Sequence, residues 1–429
     1  MNALTLHDPL AVWTEADEGT GDVHVSDGVV TAQAEAGAER IDVSGCVVTP
    51  GLVNAHHHLM QSAFRTLPGT RGVAMRDWLP AMAAAYRAAR IDGTLAFAAA
   101  RVGIAEGLLS GVTTVADHHL NWPEEGGGVE IALAVERARA ELGGRLAFVR
   151  GTAGDPPDRA ARSADAIAAA VAPDAGGVSA DGMTQVAVGP AGVHSDGRAT
   201  FDALAEVARD RGLRRRTQAN EQVDTTIALE RYGRRPLDLL DEWGWLEPGV
   251  TIAHLCDVTD REIALLAERG VTATHAPGCD VPMGWGIAPV RDLLDAGIAV
   301  GLGTSGGGSN DAGHLLADAR LAMQVSGLVG PQLSAREVLS AATAGSARGL
   351  GRDDLGRIRE GGSADLCVWD VSGAADAGSA DPVAGLLWMS PGRRPRHVIV
   401  GGRVVVRDHR LVAADEAEIV AALRERVGR

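Results

Sequence analysis

Three consecutive histidines, His56-His57-His58, follow the apolar stretch Pro50-Gly51-Leu52-Val53-Asn54-Ala55. On an extended strand His56 and His58 point to one side and His57 to the other. Two imidazoles held on one face are what Zn²⁺ or Fe²⁺ takes as ligands, so His56 and His58 are read as a metal pair and His57 as structural. Further polar groups stand where other short apolar runs stop: Asp117-His118-His119, Gln218 with Glu221, His254, His275 and Thr304-Ser305. Each alone passes for a cap or a loop residue. Their recurrence at successive strand ends marks them as candidates for one site. His254, after Thr251-Ile252-Ala253, is read as functional. Glu221 is the only carboxylate close to the end of its strand, and such a group can carry a proton from an attacking water to a leaving amine.

The elements that must position these residues alternate along the middle of the chain. Strand-like runs occur at Leu52–His58, Val112–Asp117, Leu146–Arg150, Gln185–Gly189, Leu213–Gln218, Val250–His254, Val271–His275 and Ile298–Gly303. Between them lie Ala/Leu/Arg/Glu-rich helical stretches such as 94–110, 199–211, 260–268 and 334–349. Repeated β-α units require parallel strands, and eight of them close into a barrel whose reactive groups collect at the C-terminal ends of the strands. A doubly wound open sheet is disfavoured because no glycine fingerprint follows the first strand.

Both chain ends differ from this middle. Val23-His24-Val25 and Cys46–Thr49 at one end, and Ala364–Trp369 and His397–Val406 at the other, read as short strands, the last as a hairpin turning at Gly401-Gly402. The expected organisation is an α/β fold: a (β/α)8 TIM-like barrel over 51–354, a small β-sandwich domain built from 1–50 plus 355–413, and a C-terminal helix over 414–429.

Bulk properties narrow the class. The 429 residues are 46% hydrophobic and 22% charged, with 56 acidic against 40 basic residues and a net charge of −16. That balance argues against nucleic acid as a partner and for small molecules. The four cysteines are far apart with no CxxC, as in reduced cytoplasmic proteins. No basic, then apolar, leader opens the sequence, and no apolar run reaches the ~18 residues of a membrane span. A cytoplasmic location with no membrane partner is expected.

The stretch Pro50–His58, with Gly111-Val112-Thr113-Thr114-Val115-Ala116-Asp117 and Gly356–Asp365, resembles the amidohydrolase superfamily, in its cytosine-deaminase/chlorohydrolase branch, over essentially the whole chain. His56–Gln61 followed by Arg65 is similar to the 8-oxoguanine deaminases. Pro282–Pro289 and Gly303-Thr304-Ser305 through Ser309-Asn310-Asp311 look more like the triazine hydrolases. The resemblance implies one divalent metal, zinc or else iron, held by His56 and His58, with Glu221 as general acid/base and His254 orienting the attacking water. It places Gln61, Trp78, His119 and Asn310 in the substrate pocket and implies a homodimer.

Two positions depart from the family's pattern. Gln218 stands where a third metal-binding histidine is usual, and Thr304 where the family has an aspartate on strand eight. A neutral amide oxygen is a poor zinc ligand beside imidazole, so metal affinity is expected to fall unless Gln218 or Thr304 contributes. Arg214 and Arg216 share a parity with Gln218. They lie either at the solvated bottom of the barrel or on the face of a reshaped site. The leading expectation is a metal-dependent hydrolytic deaminase of an amino-substituted purine, pterin or triazine-like ring. Displacement of halide, alkylthio or alkylamino groups from such a ring is the second, and a catalytically silent or binding member is the third.

Overall fold

The computed structural model describes residues 3–123 and 126–428. Eight strands form the centre: β1 (Leu52–His58), β2 (Val112–His119), β3 (Arg145–Thr152), β4 (Thr184–Pro190), β5 (Arg214–Ala219), β6 (Val250–His254), β7 (Thr272–His275) and β8 (Val300–Leu302). Each pairs in parallel with its neighbour in sequence. All eight are buried almost throughout, as strands covered on both sides by helices or a filled interior must be. The expected eight-stranded barrel is the observed one.

Its closure differs in detail from the expected single run Ile298–Gly303. After β8 the chain passes through Thr304 and pairs with β1 as a second short strand, Ser305–Gly306, opposite His57 and His58. Ser305 takes φ of 52°, a left-handed conformation that interrupts a strand. Gly303 marks the crossing: a Cβ there would stand 2.6 Å from the His56 carbonyl oxygen, so only glycine lets the two chains approach. The helix expected over 334–349 is also broken, into Ala335–Ser340, a wide π-type turn Ala341–Gly345, and Ser346–Leu350. The turn widens because Gly345 lies against the Val300 carbonyl, while Ser346 Oγ accepts the Leu302 N–H at 2.9 Å and donates to Ala341 O at 2.9 Å.

The chain ends supply two further sheets. One runs Arg410–Leu411, Arg403–Arg407, His397–Val400, Leu366–Asp370, Cys46–Pro50, Ala11–Trp13, Glu18–Gly19. The other runs Val29–Thr31, Val23–Ser26, Leu4–His7, Glu39–Asp42. Leu4, Leu6, Val25, Val48, Val368 and Ile399 form their shared core. Arg145 on β3 ties this layer to the barrel through a buried bidentate pair with Asp365, at 2.8 and 2.9 Å. A last helix, Glu416–Val427, packs on the helix Gly93–Leu109. Among the described residues no helix is long and apolar enough to cross a membrane.

Candidate active site

The pleat of β1 turns His56 and His58 into the barrel and His57 out of it. His58 donates through Nδ1 to the His118 carbonyl at 2.6 Å, which leaves its Nε2 lone pair free. His56 Nε2 is buried and has no hydrogen-bond partner. The His56 ring centre lies 4.9 Å from that of His58 and 5.2 Å from that of His254. Burial, helped by the neighbouring imidazoles, holds His56 far below the usual histidine range and His58 down to about 3, so both are neutral.

Opposite them stand the ends of β5 and β6. Gln218 donates through Nε2 to Ala191 O at 3.0 Å, which aims Oε1 at His254, whose Nε2 is 3.0 Å away. His254 donates through Nδ1 to Asp280 Oδ1 at 2.6 Å. Burial opposes a charge on His254, but Asp280 and Glu221 outweigh it and raise its affinity for a proton. Asp280 in turn is held down to about 2, its burial outweighed by His254 and His275. Glu221 Oε1 is buried, unpartnered and 3.7 Å from His254 Nε2. Desolvation raises the Glu221 carboxyl, and His254 and His194 only partly offset it. The backbone here is strained: Asn220, Gln222, His254 and Leu255 all have φ between 57° and 77°. Left-handed non-glycine residues cost about 1–3 kcal/mol each and persist where the surroundings over-determine them.

A cavity of about 430 Å³ opens over these groups, with His58, Gln218 and Glu221 in its wall. Of the residues assigned to the pocket, Gln61 and Trp78 line it. Both are fixed by the loop after Ser305: Gln61 Oε1 accepts the Gly308 N–H at 3.2 Å, and Trp78 Nε1 donates to Gly308 O at 2.8 Å. The other two sit elsewhere. His119 points out of the barrel between Trp122 and Phe148 and donates through Nε2 to Asn121 O at 2.9 Å. Asn310 is spent on Thr304 O (3.0 Å) and Asp318 (2.9 Å) beside the cavity wall. Thr304 likewise turns away from the imidazoles, its hydroxyl accepting from Asn54 Nδ2 at 2.8 Å and meeting His57 Nδ1 at 2.9 Å.

Several groups escaped the sequence reading. His118, not His119, faces the barrel interior, its ring centre 5.7 Å from His56 and its Nε2 donating to Gly189 O at 3.0 Å. Strand parity in Asp117-His118-His119 carried that signal, since only alternate residues share a face. His194, Met283 and Trp285 come from loops and Asp280 from the one-turn helix Pro277–Asp280, where no periodicity announces them. Arg214 stays near the barrel bottom beside Gly351. Arg216 lies inside, fully buried, donating to the carbonyls of Gly349 and Ala55, and burial then Arg214 bring it down to about 9. Among the described residues no carboxylate pairs with it.

The donor set suits a divalent cation. It offers two neutral imidazoles with free Nε2 atoms on one strand and a third imidazole across from them. Among the described residues the one trio of donor atoms that falls within 4.8 Å is that of His254, Cys279 and Asp280. There His254 Nδ1 already serves Asp280, and burial then Asp280 keep the Cys279 thiol far above its usual range, so it is protonated.

Residues 47–405 match the amidohydrolase family. The chain is 34% identical to 8-oxoguanine deaminase of Pseudomonas aeruginosa, with 99% of this chain and 98% of that one aligned. It is 35% identical to 5-methylthioadenosine/S-adenosylhomocysteine deaminase of Natronomonas pharaonis, over 94% of this chain and 90% of that one. Among solved structures, the atrazine chlorohydrolase of Arthrobacter aurescens TC1 complexed with zinc superposes with a TM-score of 0.92 at 33% identity, covering 99% of this chain and all of that one. With its barrel, its paired β1 histidines and these full-length likenesses, the chain belongs to the amidohydrolase family of hydrolases.

Proposed function

We propose that this protein is a metal-dependent hydrolytic deaminase of an amino-substituted nitrogen heterocycle. The observation that carries the proposal is that the His58 and His254 rings stand 4.9 and 5.2 Å from that of His56, beneath a cavity whose wall holds His58 and an unpartnered, buried Glu221. His56, His58 and His254 would hold one divalent ion, zinc as in the chlorohydrolase, with Gln218 beside it and Thr304 acting only from behind, through His57. Such an ion, when bound, acts as a Lewis acid that makes water nucleophilic near neutral pH.

Glu221 accepts a proton from the water that adds to the ring carbon and passes it to the amino nitrogen, so that ammonia leaves and a ring carbonyl remains. Its raised proton affinity suits both halves of that transfer. Asp280 holds the His254 ring in place. Trp78, Met283 and Trp285 supply flat apolar walls for a heterocycle and exclude bulk water.

An ultraviolet and ammonia-release screen of aminopurines, pterins and aminotriazines with zinc-supplemented protein tests this reading. Release of ammonia from at least one is expected. A purified protein that holds well under one metal per chain and gains none on adding Zn²⁺ or Fe²⁺ overturns it. Displacement of chloride from a triazine ring is the second reading, favoured by the full-length likeness to the chlorohydrolase and by Thr304. Chloride release without ammonia would select it. The proposal includes a cytoplasmic homodimer, and light scattering that returns the mass of one chain removes the dimer.

A further inference from the structure

The proton transfer assigned to Glu221 uses neither His194 nor the carboxylates behind it. His194 stands on the loop between β4 and the helix Arg198–Arg211, with its side chain 8% exposed and its ring in the wall of the same cavity as Gln218 and Glu221. Its Nδ1 donates to Asp224 Oδ1 at 3.3 Å. Asp224 is itself fully buried and fixed by the Asn220 N–H at 2.8 Å. Nearby Asp196, also buried, accepts from Thr152 Oγ1 at 2.6 Å and the Gly154 N–H at 3.1 Å. The ring is therefore braced from behind, and His194 Nε2 makes no hydrogen bond to any described residue. Burial works against a charged ring, but Asp224, Glu221 and Asp196 outweigh it and bring His194 up to about 9. A neutral histidine placed only to brace the loop needs no such set of acids.

We infer that His194 selects the substrate, donating its Nε2–H to an oxygen of the ring, so that the preferred heterocycles carry an oxo group or its deprotonated form. The inference rests on the heterocycle-hydrolase reading and narrows it from amino-substituted rings in general to oxygen-bearing ones. A charged donor binds an anionic or carbonyl oxygen about twice as strongly as a neutral donor does. A site built around a polar substrate group also rejects the analogue that lacks it, because its own donor is then left unpaired.

The test is calorimetric titration of the protein as purified with xanthine and with purine, the same bicycle without its oxygens. Neither carries an amino group, so binding is read without turnover. The wild type should bind xanthine more tightly than purine by about tenfold or more. His194→Phe should abolish that preference, and His194→Gln, which keeps a neutral donor of similar reach, should retain part of it. A xanthine-to-purine ratio equal to wild type in either folded variant overturns the inference, as does a wild type that binds neither. The outcomes separate from those of the deaminase reading. Failure to release ammonia alongside a His194-dependent preference sinks the deaminase alone, whereas ammonia release with an unchanged ratio sinks only the role of His194.

Discussion

At the scale of single residues, Gln218 decides how firmly a metal is held. Its amide oxygen stands 3.0 Å from His254 Nε2, the nitrogen that would face the ion, and Gln218→His would replace it with a nitrogen donor at the same strand end. Elemental analysis after dialysis against a chelator should then show more metal per chain than in the wild type. Unchanged occupancy would mean that this side chain does not reach the ion. Glu221→Gln keeps the shape but cannot carry a proton, and the rate should fall by ~10²-fold or more. Near-normal turnover would remove Glu221 from the mechanism. The sequence makes legible the residues whose position follows from strand parity, His56, His58 and His57. The same rule, applied to Asp117-His118-His119, separates the inward His118 from the outward His119. His194 and Asp280 are illegible for a physical reason: a loop has no period and the four-residue helix Pro277–Asp280 is too short to show one, so nothing local tells which way a side chain turns.

At the scale of elements, strand and helix alternation makes the barrel readable, because burial on both faces demands long apolar runs. The closure is less so. The sequence predicts one strand over 298–303, yet β8 ends at Leu302 and a separate piece, Ser305–Gly306, opening on the left-handed Ser305, pairs with β1 to complete the ring. That step depends on Gly303. Gly303→Ala would drive a methyl into the His56 backbone and should destabilise the fold by roughly 1–3 kcal/mol, measured by urea unfolding, with looser metal retention. A variant as stable as wild type would show that β1 gives way freely. The joint between layers is a second element-scale device. Asp365 accepts from Arg145 and from the Gly401 N–H at 2.8 Å, so Asp365→Ala strands a buried guanidinium. Such losses cost about 3–5 kcal/mol. A urea midpoint unchanged from wild type would mean that Arg145 finds another partner.

Over the whole molecule, the metal and the fold are coupled. An ion that binds the native barrel and not the unfolded chain adds stability by mass action, about 2.7 kcal/mol at a hundredfold excess over Kd. Thermal unfolding followed with rising zinc should move upward in temperature and return on adding a chelator. A melting curve indifferent to zinc would argue that the imidazoles stay empty. The excess of acidic residues, 56 against 40, does not oppose such binding, and it keeps the surface unlike that of a nucleic-acid binder.

The pairing of Cys46–Pro50 with Leu366–Asp370 has a consequence in time. The two strands are roughly 300 residues apart, so at synthesis speeds of ~5–20 residues per second the first waits on the order of 15–60 s for its partner. Throughout that interval a strand buried along its whole length in the finished protein, Cys46-Val47-Val48-Thr49-Pro50, has an open edge. The nascent chain thus carries an adhesive segment until its last sixth emerges. Its synthesis is therefore a stage at which this edge is open to pairing with other chains.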